Sequence, residues 1–223
     1  EEDDNGATPL MFAARGGFIE AAKLLVRYGA NVHARTPIGW STLTWAGLGD
    51  RGIMVRWLVA QGVKVSEEEL ELVAFAGCLD AFTALLELYD GSAACHRSDT
   101  NGSSLLHLVC YGILNLPKDT PARYLGCAKL LLLAGVPVDA TDKRGRTCLQ
   151  IYVGHENWSL ECLQSSQAHI DMVELLCSAR ACPTSKDPRG NSALSLAQSS
   201  GLDLVRNTME RFALKPETYA ARL

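Results

Sequence analysis

The sequence predicts an all-α solenoid of about six helix–turn–helix units with short β-hairpin fingers. Two observations set this reading: a glycine returns ahead of the same small-residue and leucine step, and two short apolar helical stretches split by glycine follow it. Gly6, Gly39, Gly102, Gly145 and Gly190 mark the returns, with spacings of 33, 63, 43 and 45 residues. The first interval is one unit, the second is nearly two, and the last two are one unit of 33 residues plus insertions of 10 and 12. A fixed period of this size is the mark of stacked repeats.

In the first unit, Leu10, Phe12, Ala13 and Ala14 make a short helix that Gly16-Gly17 ends, and Ala21, Ala22, Leu24, Leu25 and Val26 make a second. Gly29 closes that helix, since glycine accepts the positive φ found past helix C-termini. The stretch Ala30-Asn31-Val32-His33-Ala34 reads as extended and, with the next turn, as a hairpin. The third unit departs from the pattern. After Val63-Lys64-Val65 the turn is missing, and Ser66 with Glu69 has capping-box spacing for the helix that carries Leu70 and Ala74. Leucines of one unit must bury against the next, so Leu25 is expected to pack beside Leu58, and Leu25→Ala to cost roughly 2–5 kcal/mol. Insertions over residues 113–124 and 155–167 fall between the two helices of consecutive units; Pro117 and Pro121 make the first irregular. The last helix, over residues 202–212, offers Arg206, Asn207, Glu210 and Arg211 as a polar cap. The first unit has no such capping helix, which predicts a longer parent chain.

These residues resemble the ankyrin-repeat family. Gly6-Ala7-Thr8-Pro9-Leu10 with Leu24-Leu25 and Gly29-Ala30-Asn31-Val32 follows its pattern closely. Leu106-His107 with Leu130-Leu131 and Gly135, Gly145-Arg146-Thr147-Cys148-Leu149 with Leu175-Leu176, and Gly190-Asn191-Ser192-Ala193-Leu194 with Ala197 follow it in part. The resemblance places a domain at 1–214, with repeats at about 4–35, 36–65, 66–97, 98–140, 141–184 and 185–214, and a tail at 215–223. It implies a non-enzymatic interaction module, a scaffold or adaptor that recognises a protein or peptide through hairpin tips and the concave face of the inner helices. Three narrower versions stand beside it: a substrate-receptor arm of a ubiquitin ligase, a targeting or regulatory domain of a larger enzyme, and a histone-tail reader.

Composition agrees with a folded chain and excludes several classes. At 48 % hydrophobic and 21 % charged residues, the 223-residue chain can bury a core. Its apolar runs, such as residues 130–136, are far short of the ~20 residues that span a bilayer, so no membrane partner is expected. The acidic start Glu1-Glu2-Asp3-Asp4 is unlike a signal peptide. Residues 1–91 hold 7 Lys+Arg against 13 Asp+Glu, and residues 92–223 hold 14 against 12. Neither half reads as a nucleic-acid binder. Eight cysteines without a Cys-x-x-Cys pair read as small buried hydrophobes in a reducing compartment, cytoplasmic or nuclear.

No catalytic, cofactor or metal residue is assigned. Cys95-His96 and His107-x-x-Cys110 have zinc-type ligands, but His107 stands at the family's turn histidine, which hydrogen-bonds within its hairpin, and Cys110 at a core alanine. No Walker-type loop, G-x-G-x-x-G or metalloprotease helix is present. Trp45 and Trp57 align with Phe12 and Leu24, read as core positions, which leaves Trp40 in an exposed turn. The candidate contacts are therefore Ile38 and Trp40 as an apolar anchor, Lys143, Arg144, Arg146, Lys186 and Arg189 as a basic row for an acidic partner segment, and Tyr111 facing the groove. Tyr124 and Trp158, in the insertions, form a second candidate surface.

Overall fold

In four of the described repeats a hydroxyl side chain holds the first turn of the leading helix. Thr8 caps α1 (Pro9–Gly16), Ser41 caps α3 (Thr42–Leu48), and Thr147 caps α9 (Cys148–Val153). In each case the side chain three residues on returns a bond to the cap's N–H, so two otherwise unsatisfied donors are met. The trailing helix of each pair follows a tight turn: α2 (Ile19–Arg27), α4 (Gly52–Ala60) and, after α5 (Glu67–Ala76), α6 (Leu79–Leu88). Then come α7 (Leu105–Asn115), α8 (Pro121–Leu133), α9, α10 (Gln167–Ser178), α11 (Ala193–Ser199) and α12 (Asp203–Leu214). The computed structural model describes residues 3–89, 101–115, 121–155 and 167–214.

The chain forms two compact units, Glu1–Ala94 and Cys95–Leu223. In the first, α1, α3 and α5 pack side by side and α4 packs on α6. In the second, α7, α9 and α11 make one row, and α8, α10 and α12 the other. Each unit thus stacks three helix–turn–helix pairs. Leu10, Leu43 and Leu70 are buried at one register of the leading helices, and Val55, Leu58, Phe82 and Leu85 fill the layer between the trailing ones. Gly49 lets repeats one and two approach: a Cβ there would lie 2.2 Å from the Arg15 carbonyl oxygen.

Three expectations are corrected. Among the described residues no β-strand or hairpin forms; isolated bridges, Arg35↔Ser41 and Thr141↔Thr147, are all that pair there. The reason lies in how each turn closes. Asp142 Oδ1 accepts the N–H groups of Arg144 and Arg146, both at 2.9 Å, and Asp187 Oδ1 accepts those of Arg189 and Asn191. Side-chain oxygens take N–H groups that further ladder rungs would otherwise use, so the finger ends as a turn. Second, α2 is not a well-buried helix: Ala22 is its buried residue, Leu24 is exposed and Leu25 is half-covered. Third, most of residues 113–124 are helical, because α7 runs through Asn115 and α8 begins at Pro121. Proline suits that first helical position, where its missing N–H costs no bond. Pro117 lies outside the described residues.

The shortened third repeat is as the sequence suggests. Three residues separate Gly62 from the cap Ser66, against eleven between Gly29 and Ser41. Ser66 N–H and hydroxyl both donate to Glu69 Oε2. Cys78, Cys110, Cys127, Cys148 and Cys177 are buried, whereas Cys182 is exposed. Burial pushes the Cys177 thiol up to about 12, so it stays protonated and packs as an apolar group.

Candidate functional site

In the first unit the leading helices present an aromatic strip. The fourth residue past each cap, Phe12 in α1 and Trp45 in α3, lies on the opposite side from the buried Leu10, Ala13 and Ala14. Phe12 is 49 % exposed, and its ring meets Trp45 edge-on at 5.2 Å. Trp45 in turn meets Trp40 at 6.4 Å, and the Arg15 guanidinium sits 5.7 Å over the Trp45 ring. Trp40 is 37 % exposed and Ile38 72 %. The sequence reading had placed Phe12 and Trp45 in the core. The spacing to the cap was the signal that could have corrected it, since at 100° per residue the fourth position turns away from the second, fifth and sixth.

The turn that carries these residues is rigid. Thr36 N–H donates to the Trp40 carbonyl at 2.9 Å, Trp40 N–H donates to the Thr36 hydroxyl at 3.1 Å, and Arg35 donates to the Gly39 carbonyl at 2.7 Å. Gly39 has φ 89°, a conformation that a side chain would strain. Ile38 and Trp40 are therefore held on a closed loop rather than on a floppy one.

In the second unit, Lys143, Arg144, Lys186 and Arg189 are exposed on the turns of two consecutive repeats. Arg146 differs from them. Its guanidinium donates to Asp142 Oδ2 at 2.8 and 3.1 Å and to the Tyr111 hydroxyl at 2.8 Å. Burial works to raise the Asp142 pKa, but the Arg146 N–H and guanidinium and the Arg144 N–H outweigh it and hold the carboxyl below the usual aspartate value. Burial likewise opposes the charge of Arg146, and Asp142 and Tyr111 more than compensate. Arg146 is thus a brace, and Tyr111 is drawn beside it, with its ring 6.4 Å from that of His155. Tyr124 is 2 % exposed inside α8 and belongs to the core, so the second candidate surface loses it. Trp158 lies outside the described residues.

His107 both closes its own turn and reaches the next repeat. Its Nδ1 accepts from the Ser104 N–H at 3.1 Å, which leaves Nε2 to donate to the Arg146 carbonyl at 3.2 Å. Among the described residues, no group of three His, Cys, Asp or Glu side chains is placed to hold a metal ion. Cys95 and His96 are outside those residues. No described helix is long and apolar enough to cross a membrane.

Caps, tight turns and paired helices at a 33-residue period define the class as a helical repeat domain. Residues 1–69 match the family model described as ankyrin repeats (3 copies). No curated protein sequence matches the chain. Among solved structures, an ankyrin repeat domain from Acinetobacter baumannii AYE superposes with a TM-score of 0.68 at 18 % identity, over 92 % of this chain and 97 % of that one. The ankyrin repeat protein EF0377 superposes equally well, with a TM-score of 0.68 at 18 % identity over 91 % of this chain and 96 % of its own. Residues 1–69 thus match the family's own model, and the chain shares the fold of these ankyrin-repeat structures.

Proposed function

We propose that the protein is a protein-binding module that grips a partner through exposed turns and through the open face of its leading helices. The carrying observation is the strip Phe12, Trp45 and Trp40, three aromatic rings in edge contact at the surface beside the exposed Ile38. Aromatic groups on a rigid support are what binding hot spots are made of, because they bury much area and lose little side-chain freedom. In the second unit Lys143, Arg144, Lys186 and Arg189 supply an attraction for carboxylates, with Arg146 and Tyr111 bracing the turn that carries the first two. The first surface suits an apolar anchor, and the second suits an acidic stretch. No feature of the described residues favours the ubiquitin-ligase or enzyme-targeting versions over this general one. Nor does one favour the histone-reader version, which rests on Trp40.

Affinity capture from lysate with the wild type, Trp40→Ala, and Lys143→Glu/Arg144→Glu/Lys186→Glu tests the reading. A dominant partner is expected to be lost with Trp40→Ala, with the charge reversal, or with both. Retention of that partner at unchanged yield by both variants would overturn the surface assignment.

A further inference from the structure

The turns of successive repeats touch in a regular way. A Cβ on Gly6 would lie 2.5 Å from Cδ of Pro37 in the next turn, and one on Gly145 would lie 2.6 Å from Cδ of Pro188. One on Gly102 would lie 2.8 Å from the Lys143 nitrogen, which also donates to the Asn101 carbonyl at 3.0 Å. Each turn glycine that precedes a complete turn is therefore closed over by the residue at one fixed position, a proline in two of these three cases. Gly39 is the exception inside the array: nothing lies within 4 Å of the corresponding point, because the third repeat lacks the turn that would fill it. Gly190, in the last described repeat, is open in the same way.

The gap beside Gly39 is not an arbitrary hollow. On its flank stand Ile38 and Trp40, and its neighbour is the start of α5, tied to the turn by the Ser41 hydroxyl donating to Glu69 Oε1 at 2.9 Å. That start carries Glu67 and the exposed Glu68, against Lys64 along the chain and Arg35, which is held on the Gly39 carbonyl at 2.7 Å. The first unit as a whole holds 13 acidic residues against 7 basic ones, so its field attracts cations.

We propose that this vacated turn position is a docking notch for a basic, proline-containing segment of a partner protein, whose proline covers Gly39 as Pro37 covers Gly6. This inference rests on the protein-binding reading above and names the chemistry of the occupant in the first unit.

The test is NMR titration of the full chain with two synthetic peptides, Lys-Arg-Thr-Pro-Ile-Lys-Arg and Glu-Asp-Thr-Pro-Ile-Glu-Asp. The basic peptide is expected to shift the Gly39 amide, the Trp40 indole N–H and the Glu68 amide in a saturable way. Affinity should fall at least tenfold in Glu68→Lys. It should vanish in a variant where the eight residues missing before Ser66 are restored by copying the second repeat's turn; circular dichroism would check that this variant folds. Absence of those shifts overturns the notch, and so does binding of the basic peptide that survives the restored turn. If the notch fails while the acidic peptide shifts Lys143 and Lys186, the general protein-binding reading stands without it.

Discussion

Arg180 has φ 70°, in the left-handed region where Gly29, Gly62 and Gly135 sit at the same point past their trailing helices. A side chain there costs roughly 1–2 kcal/mol against the preferred backbone. Arg180→Gly is expected to raise stability by about 1 kcal/mol, read as a higher urea midpoint. Asp50, with φ 55°, holds the position of Gly17 and Gly77 but accepts the Ala81 N–H at 3.0 Å. Asp50→Gly should therefore gain little, because relief of strain is offset by a lost bond. Asp142 gives a pH signature. Its folded pKa is lowered, so its contribution is complete above the ordinary value of 3.8 and is lost as pH falls below it. Asp142→Asn is expected to lower stability by roughly 1–3 kcal/mol at neutral pH, and the gap to wild type should close in acid denaturation series run below that value. His169 acts in the same direction nearer neutrality: burial lowers its pKa, and the buried Tyr152 hydroxyl lies 2.6 Å from its Nδ1.

Elements follow from local chemistry where that chemistry is complete within a few residues. The caps, the closing glycines and the Ser66 to Glu69 box could be read from the sequence because each is satisfied inside one turn of chain. The fingers could not, since whether an extended stretch becomes a strand depends on who takes its N–H groups, and the side chains of Thr36, Asp142 and Asp187 do so first. The exposure of α2 was also hidden. Its Leu24-Leu25 pair looks like the pairs of the other repeats, but burial is a property of the neighbour. Leu58 is fully buried, so Leu58→Ala is expected to cost roughly 2–5 kcal/mol. Leu25→Ala should cost clearly less, reversing the emphasis that the sequence alone suggests; paired urea titrations decide it.

Over the whole molecule, stability in such repeats is close to a sum of unit terms and nearest-neighbour interfaces. Amide exchange within the first unit should then be graded, with α2 opening before α3 and α4, whose Leu43, Met54, Val55 and Leu58 are buried. Equal protection along α2 and α4 would contradict this picture. The candidate site shows the same division between local and neighbour-dependent features. Ile38, Trp40, Lys143, Arg144, Lys186 and Arg189 were legible as turn residues. Arg146 was misread as another free cation because its partners, Asp142 and Tyr111, come together only in the stack, and Phe12 and Trp45 were misread as core because their burial depends on neighbours that the sequence does not show.

The side chain three past each cap differs from repeat to repeat, and each meets its own partners. Glu69 reaches back to the hydroxyls of Ser41 and Thr44, His107 to the Arg146 carbonyl, and Gln150 to the carbonyls of Ser185 and Asn191. Repeats that look interchangeable in outline are therefore keyed to one order. Moving the third repeat elsewhere in the chain would strand a carboxylate, 2 % exposed, away from the hydroxyls that solvate it. Duplication or shuffling of whole repeats, the simplest way for such a gene to grow, is closed to this junction unless the lock and its key travel together.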